Sequence, residues 1–231
     1  MSVFDRSSLK KILTPIVKSA YESEPSDEDL YRNTLDIFSA SLDSAIRGIT
    51  MDEWKSQEKQ RQIQKTLQNK IGDLHQEILG SLQGVTSLGV GKIIDLEGNG
   101  FIAEIKNKHN TTKGNHKVSV YDDLNACLSK KDAGTIAYYV EILPKNGRAY
   151  NKPFVPSDNK LKATRPINER IRQVDGNTFY KIVTGEDGAL RELYELLPEL
   201  TAEILKDLYN EQRNPSDYIE VNEFNRIYKT K

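Results

Sequence analysis

The sequence predicts an α/β fold: a mixed β-sheet flanked by helices, with mostly helical N- and C-terminal parts. Three observations predict it. Apolar residues recur at spacings of three and four through the first eighty residues, the period of a helix. From Val85 the pattern changes to short β-like runs, two of them joined through Asn99-Gly100, the strongest short hairpin signal. Beyond the hairpin, helical and strand-like stretches alternate, as in a sheet that carries helices on its faces.

The elements follow in order. Leu9, Ile12, Leu13, Ile16 and Val17 form a helical stripe over residues 7–20, with Pro15 inside it to start or kink the helix. Ser26-Asp27-Glu28-Asp29 is a cap signal for a second helix that runs to about Arg47 and ends at Gly48. Leu30, Leu35, Phe38, Leu42 and Ile46 are expected to line its inner face. A third, longer helix covers about 51–82, with Ile63, Leu67, Ile71, Leu74, Ile78 and Leu82 as its apolar stripe and Gly80 and Gly84 at its end. Residues 90–96 and 101–106 read as the two hairpin strands, 107–116 as a polar loop and 119–130 as a helix. A strand over 134–143 carries Ile136, Tyr138, Tyr139, Val140 and Ile142. Residues 145–165 hold or border four prolines and read as loop; 178–184 reads as a strand, and 189–210 and 222–228 as helices.

Composition bounds the class of protein. A chain of 231 residues is long enough for its own core, and the absence of repeats or a clear linker favours one domain spanning 1–231. Charged residues make up 29% and mean hydropathy is -0.62. No run approaches the roughly 20 apolar residues of a membrane helix, and the N-terminus lacks the apolar core of a signal peptide. Cys127 is the only cysteine, which excludes a disulfide framework and a cysteine-rich zinc site. A soluble cytoplasmic protein is expected.

The net charge of -1 hides an uneven distribution. Between residues 145 and 172 eight basic residues face only Asp158 and Glu169, whereas from 186 to 231 eleven acids face six bases. A basic centre of that kind can steer a polyanion whatever the total.

The hairpin carries the chemistry. Residues two apart in a strand share a face, so Glu104 and Lys106 project together with Ile102, away from Phe101, Ala103 and Ile105. If Asn99-Gly100 is a two-residue type I′ turn, Gly98 pairs with Phe101 and, counting back, Asp95 faces Glu104. If Gly98-Asn99 is the turn, Asp95 faces Ile102 and still shares the side of Glu104. Like charges opposite each other in a sheet are destabilising, and a divalent metal between them removes that cost. Hard carboxylate oxygens suit Mg²⁺, whose retained waters can attack a phosphate. Lys106 beside the metal would orient that water or offset developing charge.

Asp95, Glu104 and Lys106 resemble the D…(D/E)xK centre of the PD-(D/E)xK nuclease superfamily, with one departure: Ile94, not proline, precedes Asp95. The longer string Ala103-Glu104-Ile105-Lys106-Asn107-Lys108-His109-Asn110-Thr111-Thr112-Lys113-Gly114 resembles the active-site block of type II restriction endonucleases that cut GGNCC-type sites. The segment from Gln68 to Gly80 resembles the helix before it in the same group. The resemblance implies a restriction-endonuclease-like fold and a Mg²⁺-dependent hydrolase that cuts double-stranded DNA at a short GC-rich palindrome and leaves 5′-phosphates. It implies a homodimer, and a partner methyltransferase that protects the host genome. It also implies that a helix carboxylate joins the metal site, Glu77 or, one turn earlier, Asp73.

Candidate DNA contacts fall in two places. Lys108, His109, Asn110, Thr111 and Lys113 form a polar loop after the ExK strand, of the residue types that bind phosphate oxygens. The spacings of His75, His109 and His116 match no zinc pattern. Arg148, Arg165, Arg170 and Arg172 are the candidate base readers, since arginine reads guanine O6 and N7. The rival readings are a structure-specific repair or junction nuclease of the same fold, and a non-catalytic DNA-binding protein that keeps the hairpin as scaffold.

Overall fold

The computed structural model describes residues 2–23, 28, 31, 35–89, 92–110, 114–158 and 160–229. The chain divides into two compact units, one of Met1–Leu13 with Gly72–Lys231 and one of Thr14–Ile71.

The smaller unit is helical. Helix α1 (Arg6–Tyr21) contains Pro15 and runs into this unit from the larger one, where its Leu9 and Leu13 are buried. Helix α2 (Ile37–Arg47) is capped by Asp36, whose carboxylate accepts from the amides of Phe38 and Ser39, both at 3.1 Å. It stops at Gly48, whose φ of 64° is the left-handed conformation that favours glycine. The expected cap at residues 26, 27 and 29, and Leu30, lie outside the described residues. The expected inner face is corrected: Ala40 and Ser44 are buried, while Phe38, Leu42 and Ile46 are 85%, 65% and 74% exposed. A small residue every fourth position lets this helix pack closely through that row, which turns the larger apolar row outward. Helix α3 (Met51–Gly80) starts with a capping box, the Thr50 amide donating to Glu53 Oε2 at 2.8 Å and the Glu53 amide to Thr50 Oγ1 at 3.2 Å. The Trp54 indole N–H donates to Asp43 at 2.8 Å and ties α3 to α2.

The last turns of α3 belong to the larger unit, where Leu74, Ile78 and Leu79 are buried. The sheet follows: β1 (Val85–Ser87), β2 (Leu96–Gly98), β3 (Phe101–Lys108), helix α4 (Gly114–Leu128), β4 (Ile136–Leu143), β5 (Asn151–Pro153), the small ribbon β6 (Ser157–Asp158) and β7 (Ala163–Thr164), then β8 (Ile171–Asp175). The six-stranded order is β1-β2-β3-β4-β8-β5. The first three strands and the β8–β5 edge are antiparallel, and β3, β4 and β8 are parallel. The expected mixed sheet is therefore present, with the hairpin inside it.

Both faces of the central strands are covered, as parallel strands require. On one, Ile102, Ala137, Tyr139 and Ile171 pack with Tyr121, Leu124 and Leu128 of α4. On the other, Phe101 and Tyr138 meet Phe179 edge-on, at ring-centroid distances of 5.7 and 5.5 Å. Phe179 belongs to α5 (Gly176–Thr184), which is followed by α6 (Ala189–Tyr209) and α7 (Val221–Tyr228).

Three expectations fail here. The first hairpin strand, expected over 90–96, is β2 at Leu96–Gly98; residues 92–95 precede it outside the ladder, and 90 and 91 lie outside the described residues. Residues 178–184 are helical, because the Asp175 carboxylate caps the Thr178 amide at 3.0 Å and Gly185 closes the other end. The strand lies just before, at β8, where Arg172 and Gln173 interrupt the apolar pattern of Ile171 and Val174. The stretch expected as loop over 145–165 contains the short strands β5, β6 and β7. Among the described residues no helix is long and apolar enough to cross a membrane.

Candidate active site

The hairpin register is Leu96↔Ala103, Glu97↔Ile102 and Gly98↔Phe101, the first of the two considered. The turn is not type I′, which needs positive φ at both central residues; only Gly100 has it, at 76°. Ladder pairing ends at Leu96, yet Asp95 stays in line with it. Its amide donates to Ala103 O at 3.0 Å, and its Oδ2 accepts the Ile105 amide at 2.7 Å. Gln76 of α3 donates to the Asp95 carbonyl at 3.2 Å and to Ser87 Oγ at 3.1 Å, so the helix side chain that holds this residue is itself tied to the first strand.

Opposite it, Glu104 is 14% exposed and binds the Lys106 ammonium at 2.6 Å. Burial first, and then the charge of Asp95, push the Glu104 carboxyl up to about 7, against the pull of Lys106. Asp95, Glu104 and Lys106 are thus brought together on one face. Glu77 and Asp73 are exposed on α3; the side chain that reaches the hairpin from this helix is Gln76.

The same face continues across β4, because Glu104 is in register with Tyr139 and Lys106 with Glu141. Glu141 is 1% exposed. Its Oε1 accepts from Lys117 of α4 at 2.8 Å; its Oε2 accepts from Gln173 of β8 at 2.9 Å and from the Tyr150 hydroxyl. Burial drives this carboxyl upward, but the donors Lys117, Tyr150 and Gln173 outweigh it and hold Glu141 below the usual carboxylate range. Asp175 fixes Tyr150 by accepting its amide at 2.8 Å.

Lys117, Glu141 and Tyr150 were not singled out by the sequence. One trace was legible: Glu141 is a lone carboxylate in an apolar strand, where a charge persists only if it is paired.

The candidate DNA contacts are distributed unevenly. Lys108 and Asn110 are exposed at the end of β3, while Thr111 and Lys113 lie outside the described residues. His109 and Arg148 line one cavity beside Glu141. Arg165 bridges Asp122 and Asp158 at 2.6 and 3.0 Å. Arg170 donates to the carbonyls of Asp132 and Ala133, and Arg172 to Asn151 and Glu169. A base contact by any of these three exchanges such partners for the base edge. His75 is bound to the Tyr180 hydroxyl at 2.8 Å, and burial lowers it to about 4.

Two acids and a lysine on the central hairpin of a helix-flanked mixed sheet define a protein of the restriction-endonuclease-like α/β class. Comparison with known proteins carries this further. A family model described as Eco47II restriction endonuclease matches residues 1–206. The chain is 35% identical over 215 residues to the type II restriction enzyme Eco47II of Escherichia coli, covering 91% of this chain and 90% of the relative. It is 33% identical over 176 residues to the type II restriction enzyme Sau96I of Staphylococcus aureus, covering 74% of this chain and 67% of that one. The chain belongs to the Eco47II restriction endonuclease family.

Proposed function

We propose that this chain is a type II restriction endonuclease that hydrolyses double-stranded DNA at a short GC-rich palindrome of the GGNCC type, with Mg²⁺, leaving 5′-phosphates. The observation that carries the reading is the meeting of Asp95, Glu104 and Lys106 on one face of the hairpin, in a chain similar over most of its length to two restriction enzymes.

The donor set fits a divalent cation. Two carboxylates share one face, and the buried one is held near neutrality by its surroundings, a charge conflict that a cation relieves. Mg²⁺ commonly takes only one or two protein carboxylates and fills its other positions with water and phosphate oxygens. Asp95 and Glu104 supply that number; among the described residues no group of three His, Cys, Asp or Glu gathers around a point. When bound, the cation supplies charge for the phosphate and an acidified water.

The chain's own residues do the rest. The Ile105 amide fixes the Asp95 carboxylate, so one acid does not have to reorganise as substrate arrives. Lys106 stands beside Glu104 to orient the attacking water and to offset charge growing on the phosphoryl oxygens. Water adds at phosphorus, the 3′ oxygen leaves and takes a proton, and the 5′ side keeps the phosphate. Glu77 or Asp73 from α3 remains the proposed additional carboxylate. Lys108, His109, Asn110, Thr111 and Lys113 are proposed phosphate contacts, and Arg148, Arg165, Arg170 and Arg172 base contacts. Two strands require two such centres, so the working form is a homodimer across a palindrome. A methyltransferase of matching specificity is the functional partner.

Digestion of a mapped plasmid with Mg²⁺, followed by sequencing of the ends, tests this. Discrete fragments with ends at GGNCC-type sites and 5′-phosphates are expected. A smear points to a nuclease that reads structure. No cleavage by wild type under any divalent cation sinks the reading.

A further inference from the structure

The buried Glu141 cluster does not take part in the chemistry described above, yet it adjoins it. Its register partner on β3 is Lys106, and neighbouring strands lie about 4.8 Å apart. At this end of the parallel strands the surface opens into a cavity of about 340 Å³, bounded by His109, Lys117, Lys145, Arg148, Lys152 and Glu141. Four of these six side chains are cations and one is an acid. That acid is already saturated, with Lys117 on one oxygen and Gln173 and Tyr150 on the other.

We propose that this cavity binds a backbone phosphate of the DNA strand next to the one being cut, with Lys117 as the contacting cation and Glu141 as the residue that positions it. The inference rests on the nuclease reading and adds a second anion site to it.

A buried carboxylate in a parallel strand is costly unless its lone pairs are filled, and here they are. Its charge does not point into the cavity as a repulsive group; it is consumed in fixing an ammonium. Lys117 has three donor hydrogens, of which Glu141 takes one. The Tyr139 ring lies under the same ammonium at 5.2 Å, so a flexible side chain is held from two directions. A cation fixed in this way meets an anion without first losing its conformational freedom. Lys145, Arg148 and Lys152 at the rim add positive potential, and His109 adds a ring N–H donor. Groups of this kind, gathered at the carboxyl ends of parallel strands, match a tetrahedral anion in the crevice where α/β sheets bind their ligands.

The test uses the full chain in EDTA, where nothing is cut. Binding of a duplex containing GGNCC and of a scrambled duplex is followed by fluorescence anisotropy over a range of KCl. Lys117→Gln keeps a donor for Glu141; Lys145→Gln alters an exposed side chain at the rim and leaves the buried cluster intact. Each is expected to weaken both duplexes alike and to lower the slope of log K against log salt by about 0.9, the value for one lost phosphate contact. Glu141→Gln leaves the cation but frees it: affinity falls while the slope stays near wild type. Duplexes with single methylphosphonate linkages are then scanned. One position is expected where neutralising the phosphate weakens wild type but not Lys117→Gln. Unchanged slopes in both cation variants, weakening of the GGNCC duplex alone, or no such position overturns the proposal. A wild type that binds neither duplex overturns it together with the nuclease reading, whereas duplex binding with unchanged slopes overturns this site only.

Discussion

Glu104 carries two demands on one side chain. It sits nearly out of water, and a second carboxylate shares its face. Replacement by glutamine keeps its shape and removes its charge. Cleavage should then fall by orders of magnitude in a plasmid assay, while a gel shift should show duplex binding kept or tightened, because a negative charge beside a phosphate is gone. Wild-type cleavage by Glu104→Gln disproves the assignment. The same residue sets a pH dependence. Its folded value of about 7 lies above the ordinary 4.5, so its contribution is full below 4.5 and is lost as pH rises through 7. In urea unfolding without metal, Glu104→Gln should gain stability over wild type between pH 5 and pH 8, by on the order of 1–3 kcal/mol, and Mg²⁺ should narrow that gap. His75 acts in the opposite direction. Its folded value of about 4 lies below 6.5, so stability is present above 6.5 and lost as pH falls toward 4. His75→Phe should therefore flatten the acid side of the profile. At this scale the sequence was informative where two charges sit two apart in a strand, since alternation alone places Glu104 and Lys106 together. Beyond the lone acid Glu141 in an apolar strand, it did not show that Lys117, Glu141, Tyr150 and Gln173 meet, because those four come from four separate segments.

Among the elements, the stop at Gly48 was legible, but the caps at Asp36, Thr50 and Asp175 were not read: the cap of the second helix was expected at residues 26–29, and the Asp175 cap was hidden by the β-branched run after it. The inner face of α2 was read wrongly because apolar periodicity reports size, whereas the contact used Ala40 and Ser44. Strand β8 was missed because the consecutive polar residues Arg172 and Gln173 break its apolar run. The contact between α5 and β4 makes a prediction. A Cβ on Gly176 would lie 2.5 Å from the Ile142 carbonyl oxygen, which is backbone and cannot swing aside. Gly176→Ala should lower stability by about 1–3 kcal/mol, read as a shift of the urea midpoint at constant slope. A midpoint equal to wild type would mean that α5 slides on the sheet without cost.

For the whole molecule, the α/β class was readable because a hairpin signal stood between helical periodicities, and the mixed direction followed from α4 returning the chain to β4. The order of the outer strands was not readable, since β5 pairs with β8 by contacts that skip the β6–β7 ribbon. The proposed pair of centres on one palindrome makes a further prediction. Mixing wild type with an excess of Lys106→Ala, after exchange of subunits, should convert a supercoiled single-site plasmid mainly to nicked circles, because a mixed pair holds one working centre. Linear product alone would mean that one chain cuts both strands. The register of the sheet finally implies an order of assembly. Asp95 and Glu104 are joined by a hairpin, a contact between near neighbours in the chain. The Lys117–Glu141 and Glu141–Gln173 bonds span 24 and 32 residues. Loop closure slows such distant contacts, so a refolding chain reaches the paired carboxylates before the buried network. Cutting power in a refolding experiment should return on the slower clock, after the hairpin amides are already protected from exchange.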